Sequence, residues 1–202
     1  MMTLDGNLTM MNLANQLKCP SGENAGIFAQ DMYKSNKGMI VDSISALRIT
    51  DKNRILELGP AGGSHLSLIF QQALELKYFG LDISEAMVNE ARAVNGRYIK
   101  GKKALFDCYD GTQIPYVHGF FDRILTVNTI YFWKQPKAFL IELYRVLRPG
   151  GFCVVTFVEG NFMKLQPFVD DTFELFDITR FANLVSRTPF TKVDVQTKQE
   201  RT

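Results

Sequence analysis

The sequence predicts an α/β protein, an open and mainly parallel sheet with helices on both faces. Three observations carry this prediction. Strand-like and helix-like patterns alternate from about residue 51 onward. The strand patterns are apolar at almost every position, as expected where both faces of a sheet are covered. Strand–helix–strand order forces parallel pairing through right-handed crossovers, and ligands of such sheets bind beyond the carboxyl ends of the strands.

Taken in chain order, residues 1–50 read as a helical appendage, or lid, and residues 51–202 as the core. Pro20-Ser21-Gly22 breaks the chain. Apolar residues then recur at helical intervals over Gly26–Asn36 (Ile27, Phe28, Met32) and over Met39–Leu47 (Ile40, Ile44, Leu47), which predicts two short helices over the mouth of the domain. Arg54–Leu58 is the first strand and runs into Gly59-Pro60-Ala61-Gly62-Gly63, followed by a helix with Leu66, Ile69, Phe70, Ala73 and Leu74 inward. Tyr78–Leu81 is the second strand and ends at Asp82; Ser84 caps the next helix, whose inward face is Met87, Val88, Ala91 and Val94. Ala104–Tyr109 and Arg123–Asn128 are the third and fourth strands, Phe139–Leu147 a helix and Phe152–Val158 the fifth strand. Thr179–Ser186 reads as a last helix with Phe181, Leu184 and Val185 inward, and Lys192–Thr197 as a strand.

Composition narrows the function. A chain of 202 residues, 46% hydrophobic, suits one well-buried core. The 23 basic and 21 acidic residues nearly cancel, so no sustained positive field draws the protein to nucleic acid or an anionic membrane. No apolar run approaches a membrane span and the start lacks a secretory pattern, so a cytoplasmic location is expected. Cys19, Cys108 and Cys153 share no metal-ligand spacing, so neither a zinc site nor a disulfide framework is expected; Cys108 and Cys153 read as buried, inert thiols and Cys19 as not buried.

The chemistry concentrates at three strand ends. In Glu57-Leu58-Gly59-Pro60-Ala61-Gly62-Gly63, small residues between a strand and a helix let backbone approach a ligand and leave amides free. Such a turn serves dinucleotides as well, or is simply tight. Glu57 lies in an apolar strand and needs a partner if buried. Asp82 follows the second strand, where a carboxylate accepts from ribose hydroxyls or merely starts a turn. Asp110 ends the third strand, where a carboxylate accepts from an adenine amino group, with Ile83 and Met87 sandwiching the ring. Three such sites on consecutive strands point to an adenosyl cofactor.

The stretches "RILELGPAGG", "GLDISEAM", "YDGTQIPY", "FDRILTVNTIYFW" and "LYRVLRPGGFCVVTF" resemble the class I S-adenosylmethionine-dependent methyltransferases, specifically the small-molecule branch that includes ubiquinone-biosynthesis-like enzymes. The resemblance runs from about Pro20 to Val195 and implies a Rossmann-like fold. The leader "QLKCPSGENAGIFAQDMYKSNKGM" is similar to an N-terminal segment of a bacterial subset of these enzymes. Carried over, the resemblance implies that Gly59, Ala61 and Gly63 line the methionine moiety, that Asp82 holds the ribose, and that Asp110 with Gly111 reads the adenine. It further implies that Asn128 and Thr129 face the methionine end, that Glu57 orients the loop from beneath, and that Tyr33 and Asn36 reach in from the lid.

The sequence departs from the family at two places. Ala61 stands where glycine is commoner, which is tolerated if that residue avoids positive φ. The family's antiparallel seventh strand is expected to be missing, which leaves the edge beside Phe152–Val158 open and admits a homodimer through that C-terminal sheet edge.

The expected reaction is in-line methyl transfer to a small-molecule acceptor, with catalysis largely by positioning and water exclusion. No catalytic residue is assigned. His65 reads as a partly exposed helix residue and His118 as part of a turn. Tyr131, Phe132 and Trp133, past the fourth strand, read equally as an aromatic substrate wall or as packing against the N-terminal helices, and Tyr33 of the lid is expected on the substrate side as well. Two other classes stay open: a nicotinamide-dependent oxidoreductase on a similar sheet, and a cofactor-binding but inactive assembly module.

Overall fold

A computed structural model describes residues 10–22 and 25–199. The sheet has five parallel strands in the order β3-β2-β1-β4-β5, formed by β1 (Arg54–Leu58), β2 (Lys77–Asp82), β3 (Ala104–Cys108), β4 (Phe121–Val127) and β5 (Leu147–Thr156). β1 is central and pairs in register with β2 (Leu58 opposite Leu81) and with β4 (Leu58 opposite Thr126). β2 pairs with β3, which places Asp82 opposite Cys108. The parallel α/β sheet is therefore as expected. β5 begins earlier than its apolar run, because Leu147 already pairs with Phe121; the register then shifts across Arg148-Pro149-Gly150-Gly151 before Arg123 meets Phe152.

Two apolar layers enclose the sheet. On one face Ile55, Tyr78, Phe106 and Leu125 pack under Ile40, Ile44, Leu47, Leu66, Ile69, Val88 and Ala91. These come from α2 (Ala25–Ala46), α3 (Leu66–Phe70) and α4 (Glu85–Val94), with α5 (Gly96–Lys100) beyond them. On the other face Leu56, Leu58, Leu81, Phe121 and Ile124 pack under Phe139, Leu140, Leu143 and Val146 of α6 (Pro136–Val146) and Val185 of α8 (Ile178–Val185). A short α7 (Gly160–Met163) follows β5. Among the described residues no helix is long and apolar enough to cross a membrane.

Several expectations need correction. The two lid helices are one continuous helix, α2, whose buried residues run from Ala25 and Phe28 to Ile40 and Ile44; contact along its whole length outweighs the cost of about 1 kcal/mol for Gly38 inside it. α1 (Met10–Lys18) precedes it and was not anticipated; Glu23 and Asn24 of the leader lie outside the described residues. The helix after the glycine turn ends at Phe70, because the Leu74 amide donates to Asp51 Oδ1 (2.8 Å) and the Leu74 carbonyl accepts from the Lys52 amide (2.9 Å). Leu74 consequently points outward at 71% exposure, and Val94 at 51% is likewise not inward.

Lys192–Thr197, expected as a strand, forms none and pairs with no strand. Phe190 packs on Tyr144 of α6, on one face of the sheet, and the Lys198 ammonium reaches Asp42 of α2, on the other. The intervening residues therefore lead from the α6 face to the α2 face. Cys108 is exposed, not the buried thiol expected; Cys153 is half-buried as a residue, but burial pushes its thiol up to about 12, in keeping with the inert thiol expected; Cys19 is half-buried.

Candidate active site at the strand ends

Parallel pairing brings the ends of β1, β2 and β3 side by side, with Gly59–Gly63 just past β1, Asp82 as the last residue of β2 and Asp110 two residues past β3. The turn after β1 is built on left-handed backbone: Gly59 (φ 68°), Ala61 (φ 48°) and Gly63 (φ 60°). Ala61 thus adopts the positive φ it was expected to avoid, at a cost of about 1 kcal/mol for a residue with a Cβ. Gly59 is needed for space as well, since a Cβ there would stand 2.6 Å from Thr129 Cγ2.

Asp82 closes on this turn. Its Oδ2 accepts from the Ala61 amide (3.3 Å) and its Oδ1 from the Ser84 amide (3.0 Å), and the residue is 7% exposed. Burial pushes the carboxyl up to about 6, against the pull of the Ser84, Ala61 and Ile83 amides. Ser84 caps α4 as expected, its hydroxyl accepting from the Met87 amide (3.1 Å) while donating to the Pro20 carbonyl.

Asp110 sits on the surface, two residues past β3. Its Oδ1 accepts from the amides of Thr112 (2.7 Å) and Gln113 (2.8 Å), which holds the carboxyl below its ordinary range. A cleft of about 600 Å³ opens beside it, lined by Cys108, Tyr109, Gln113, Ile114 and Arg145 among others. Ile83 lies against Gly111, where a Cβ would be 3.1 Å from its Cγ2. Met87 does not join them: it packs with Ala25 and Ala29 of α2, so the expected Ile83–Met87 sandwich is not formed. A second cleft, about 730 Å³ between α6 and α8, is lined by none of these residues.

Glu57 has its partners. The imidazole of His65 lies 2.8 Å from Glu57 Oε2, and the Tyr78 hydroxyl donates to the same oxygen at 2.7 Å. Glu57 and His65 are each 3% exposed, so His65 is not the partly exposed residue expected. The sequence carries a signal for this pair: His65 follows Glu57 by eight positions, just after the glycine turn, and is a polar side chain able to meet a buried carboxylate. Burial lowers the His65 pKa, but the Glu57 charge and hydrogen bond outweigh it and the net shift is upward.

α2 crosses the mouth. Gly62 lies under Ala29, the Tyr33 ring stacks near that of His65 (centroids 6.4 Å apart), and Asn36 Oδ1 accepts from Asn128 Nδ2 (3.0 Å). Asn128 has φ 56° and its Oδ1 accepts from the Tyr131 hydroxyl (3.1 Å) and the Val158 amide (3.2 Å). The Thr129 hydroxyl accepts from the Trp133 indole (3.1 Å). Tyr131 and Trp133 are 2% and 7% exposed within the α6 face of the core. Of the two readings of these aromatics, packing is the one the structure adopts, because both polar tips are already satisfied internally. His118 is exposed in a turn ending at Gly119 (φ 66°). Among the described residues no group of three His, Cys, Asp or Glu side chains is arranged to hold a metal ion.

A five-stranded parallel sheet with a glycine turn after its central strand and acidic residues after the next two is the architecture of a class I methyltransferase. Residues 56–155 match the family described as methyltransferase domain, and the chain belongs to the class I S-adenosylmethionine-dependent methyltransferases. It is 27% identical over 125 residues to an uncharacterized methyltransferase, YdaC, of Bacillus subtilis, covering 62% of this chain and 67% of that one. It is also 27% identical over 118 residues to a fatty-acid O-methyltransferase of Mycolicibacterium smegmatis, covering 56% of this chain but only 40% of that one. Among solved structures, a chain from the complex between the Haloferax volcanii Trm112 methyltransferase activator and a methyltransferase superposes with a TM-score of 0.69 at 21% identity, covering 80% of this chain and 71% of that one.

Proposed function

We propose that the chain binds S-adenosylmethionine at the ends of β1–β3 and transfers its methyl group to a small-molecule acceptor. The observation that carries this is the Ala61–Asp82 contact, which puts a buried carboxylate on the glycine turn where a ribose would lie. The residues fit the cofactor. Asp82 supplies acceptors for the ribose hydroxyls, Asp110 and Gly111 with Ile83 border the adenine, and Gly59, Ala61 and Gly63 offer backbone to the methionine portion, flanked by Asn128 and Thr129. Glu57 acts from below, bracing the turn through His65. Tyr33 lies on the lid, nearest the acceptor side. Bound there, S-adenosylmethionine supplies an electrophilic methyl group on a sulfonium.

The protein's own contribution is positioning and exclusion of water by α1 and α2. His65 is committed to Glu57 and is no free base. Near-neutral charge favours a small acceptor over nucleic acid, and the enzyme acts in the cytoplasm. The relatives' names span fatty-acid and alkaloid acceptors, so the acceptor is not transferred from any of them. Among the described residues no strand pairs with the outer edge of β5, which favours a homodimer through that edge; sedimentation as a monomer at all concentrations would discard it. The main test is calorimetric titration with S-adenosylhomocysteine and with a nicotinamide dinucleotide, followed by methyl transfer from labelled cofactor to pooled carboxylic acid, amine and phenol acceptors. Preference for the dinucleotide would replace this reading with an oxidoreductase, and binding without turnover would favour an assembly role.

A further inference from the structure

Two cysteines far apart in sequence share one acceptor. Cys19 follows α1, and its sulfur lies 3.9 Å from the Ile83 carbonyl oxygen; Cys108 ends β3, and its sulfur lies 3.6 Å from the same oxygen. The two thiols therefore flank one carbonyl oxygen at the β2–α4 turn. No disulfide was expected from their spacing, and none of the roles proposed for the strand ends uses either thiol. The surroundings differ in a useful way. Cys108 is exposed, whereas Cys19 is half-buried and held less acidic than an ordinary thiol by burial first and the Asp82 charge second.

We propose that Cys19 and Cys108 form a reversible disulfide that fastens the N-terminal segment to the sheet beside Asp82. The oxidant is a low-molecular-weight disulfide such as oxidised glutathione. The Cys108 thiol gives its proton to solvent, and the thiolate attacks one sulfur of the small disulfide and expels one small thiol. The Cys19 sulfur, losing its proton in turn, attacks Cys108 in the mixed disulfide and expels the second. Two protein S–H groups become one S–S bond and one small disulfide becomes two small thiols, so electrons and protons balance.

The consequence follows from what Cys19 is attached to. Leu13 and Ala14 of α1 are buried against the core, and the next residue, Pro20, accepts the Ser84 hydroxyl through its carbonyl. This segment is held to the Ile83–Ser84 turn beside Asp82, and in the proposal its release is the step that lets a ligand reach Asp82. A covalent tie at Cys19 holds the cover shut. That step rests on the cofactor site proposed above; the disulfide itself does not.

The full-length protein, equilibrated with oxidised and reduced glutathione, should yield a non-reduced peptide joining the Cys19 and Cys108 fragments, lighter by two hydrogens than their sum and lost with dithiothreitol. Cys153, half-buried on β5 with its thiol pushed up to about 12 by burial, is the internal control and should stay unmodified. Amide exchange across residues 13–20 should slow at least tenfold on oxidation in the wild type and not in Cys108→Ser. Association of S-adenosylhomocysteine should be at least tenfold slower in the oxidised wild type, and equal in the reduced wild type and Cys19→Ser. Glutathione that stays on Cys108 unresolved, a crosslink to Cys153, or unchanged exchange in the crosslinked protein would each overturn the proposal. If the oxidised protein is crosslinked and protected but neither redox form binds the nucleoside, the disulfide stands and the cofactor reading is what fails.

Discussion

His65 and Glu57 form a buried pair 2.8 Å apart directly beneath the glycine turn, with side chains no more than 4% exposed. Removing His65 leaves the buried Glu57 carboxylate only the Tyr78 hydroxyl. His65→Ala should therefore lower stability by about 3 kcal/mol, with part of this recovered in the Glu57→Gln/His65→Ala double variant. The pH response follows from the raised His65 pKa. Its stabilisation is complete below the unfolded value of about 6.5 and is lost as pH rises through the higher folded value. Urea titrations between pH 5 and 9 should show this decline in the wild type and a flatter profile in the double variant; parallel profiles would rule the pair out as a source of stability.

Ala61 carries the opposite kind of cost. Its φ of 48° is a glycine conformation, and its amide is the one that meets Asp82. Ala61→Gly should raise the unfolding free energy by about 0.5–1 kcal/mol, the relieved strain being partly offset by the freedom glycine gains when unfolded. A lower urea midpoint would mean that the methyl group's packing beside Met87 and α2 matters more than the strain.

What the sequence made legible and what it did not divide along physical lines. The parallel sheet followed from apolar runs that need two covers, and the glycine turn and both aspartates were found because strand ends in such sheets have few alternative placements. Properties set by contacts between distant segments were not readable. The fusion of two helical patterns into α2 depends on Ala29 lying over Gly62 and Ser43 hydrogen-bonding Thr156, which periodicity does not encode. Met87 obeys the expected helical face but turns to α2 rather than to Ile83, because the lid supplies a nearer apolar surface. The proximity of Cys19 and Cys108 depends on where the chain before α2 crosses the sheet end, and local pattern says nothing of that crossing.

Tyr131 separates packing from substrate contact. Its hydroxyl accepts from the Val158 amide (2.6 Å) and is also within bonding distance of the Val158 carbonyl (3.0 Å) and Asn128 Oδ1 (3.1 Å). Tyr131→Phe should cost about 1 kcal/mol, because the Val158 amide keeps only its longer bond to Asn128 Oδ1 (3.2 Å) and Asn128 loses a donor. Affinity for S-adenosylhomocysteine should not change. A variant of unaltered thermal stability but impaired methyl transfer would return Tyr131 to the substrate wall.

Asp82 should give the binding reaction its pH dependence. Its carboxyl is pushed up to about 6 by burial, whereas in the unfolded chain it titrates near 3.9. For an acid shifted upward the native state holds the proton more tightly, so this group favours folding at low pH and opposes it increasingly as pH rises from about 4 to 6. The charge is retained at neutral pH despite that penalty, as expected of a site tuned for a ligand. A ribose donates its hydroxyl protons and prefers the ionised carboxylate. Affinity for S-adenosylhomocysteine should accordingly be flat above pH 7 and fall below pH 6, approaching tenfold per pH unit. Asp82→Ala should weaken binding by about 1–3 kcal/mol at pH 8 through the lost charge-assisted hydrogen bonds, and should abolish the acid limb. Calorimetry across pH 5–8 on both proteins decides the matter: an acid limb that persists in the variant assigns the titration to another group, and an unchanged affinity at pH 8 takes Asp82 out of the cofactor site.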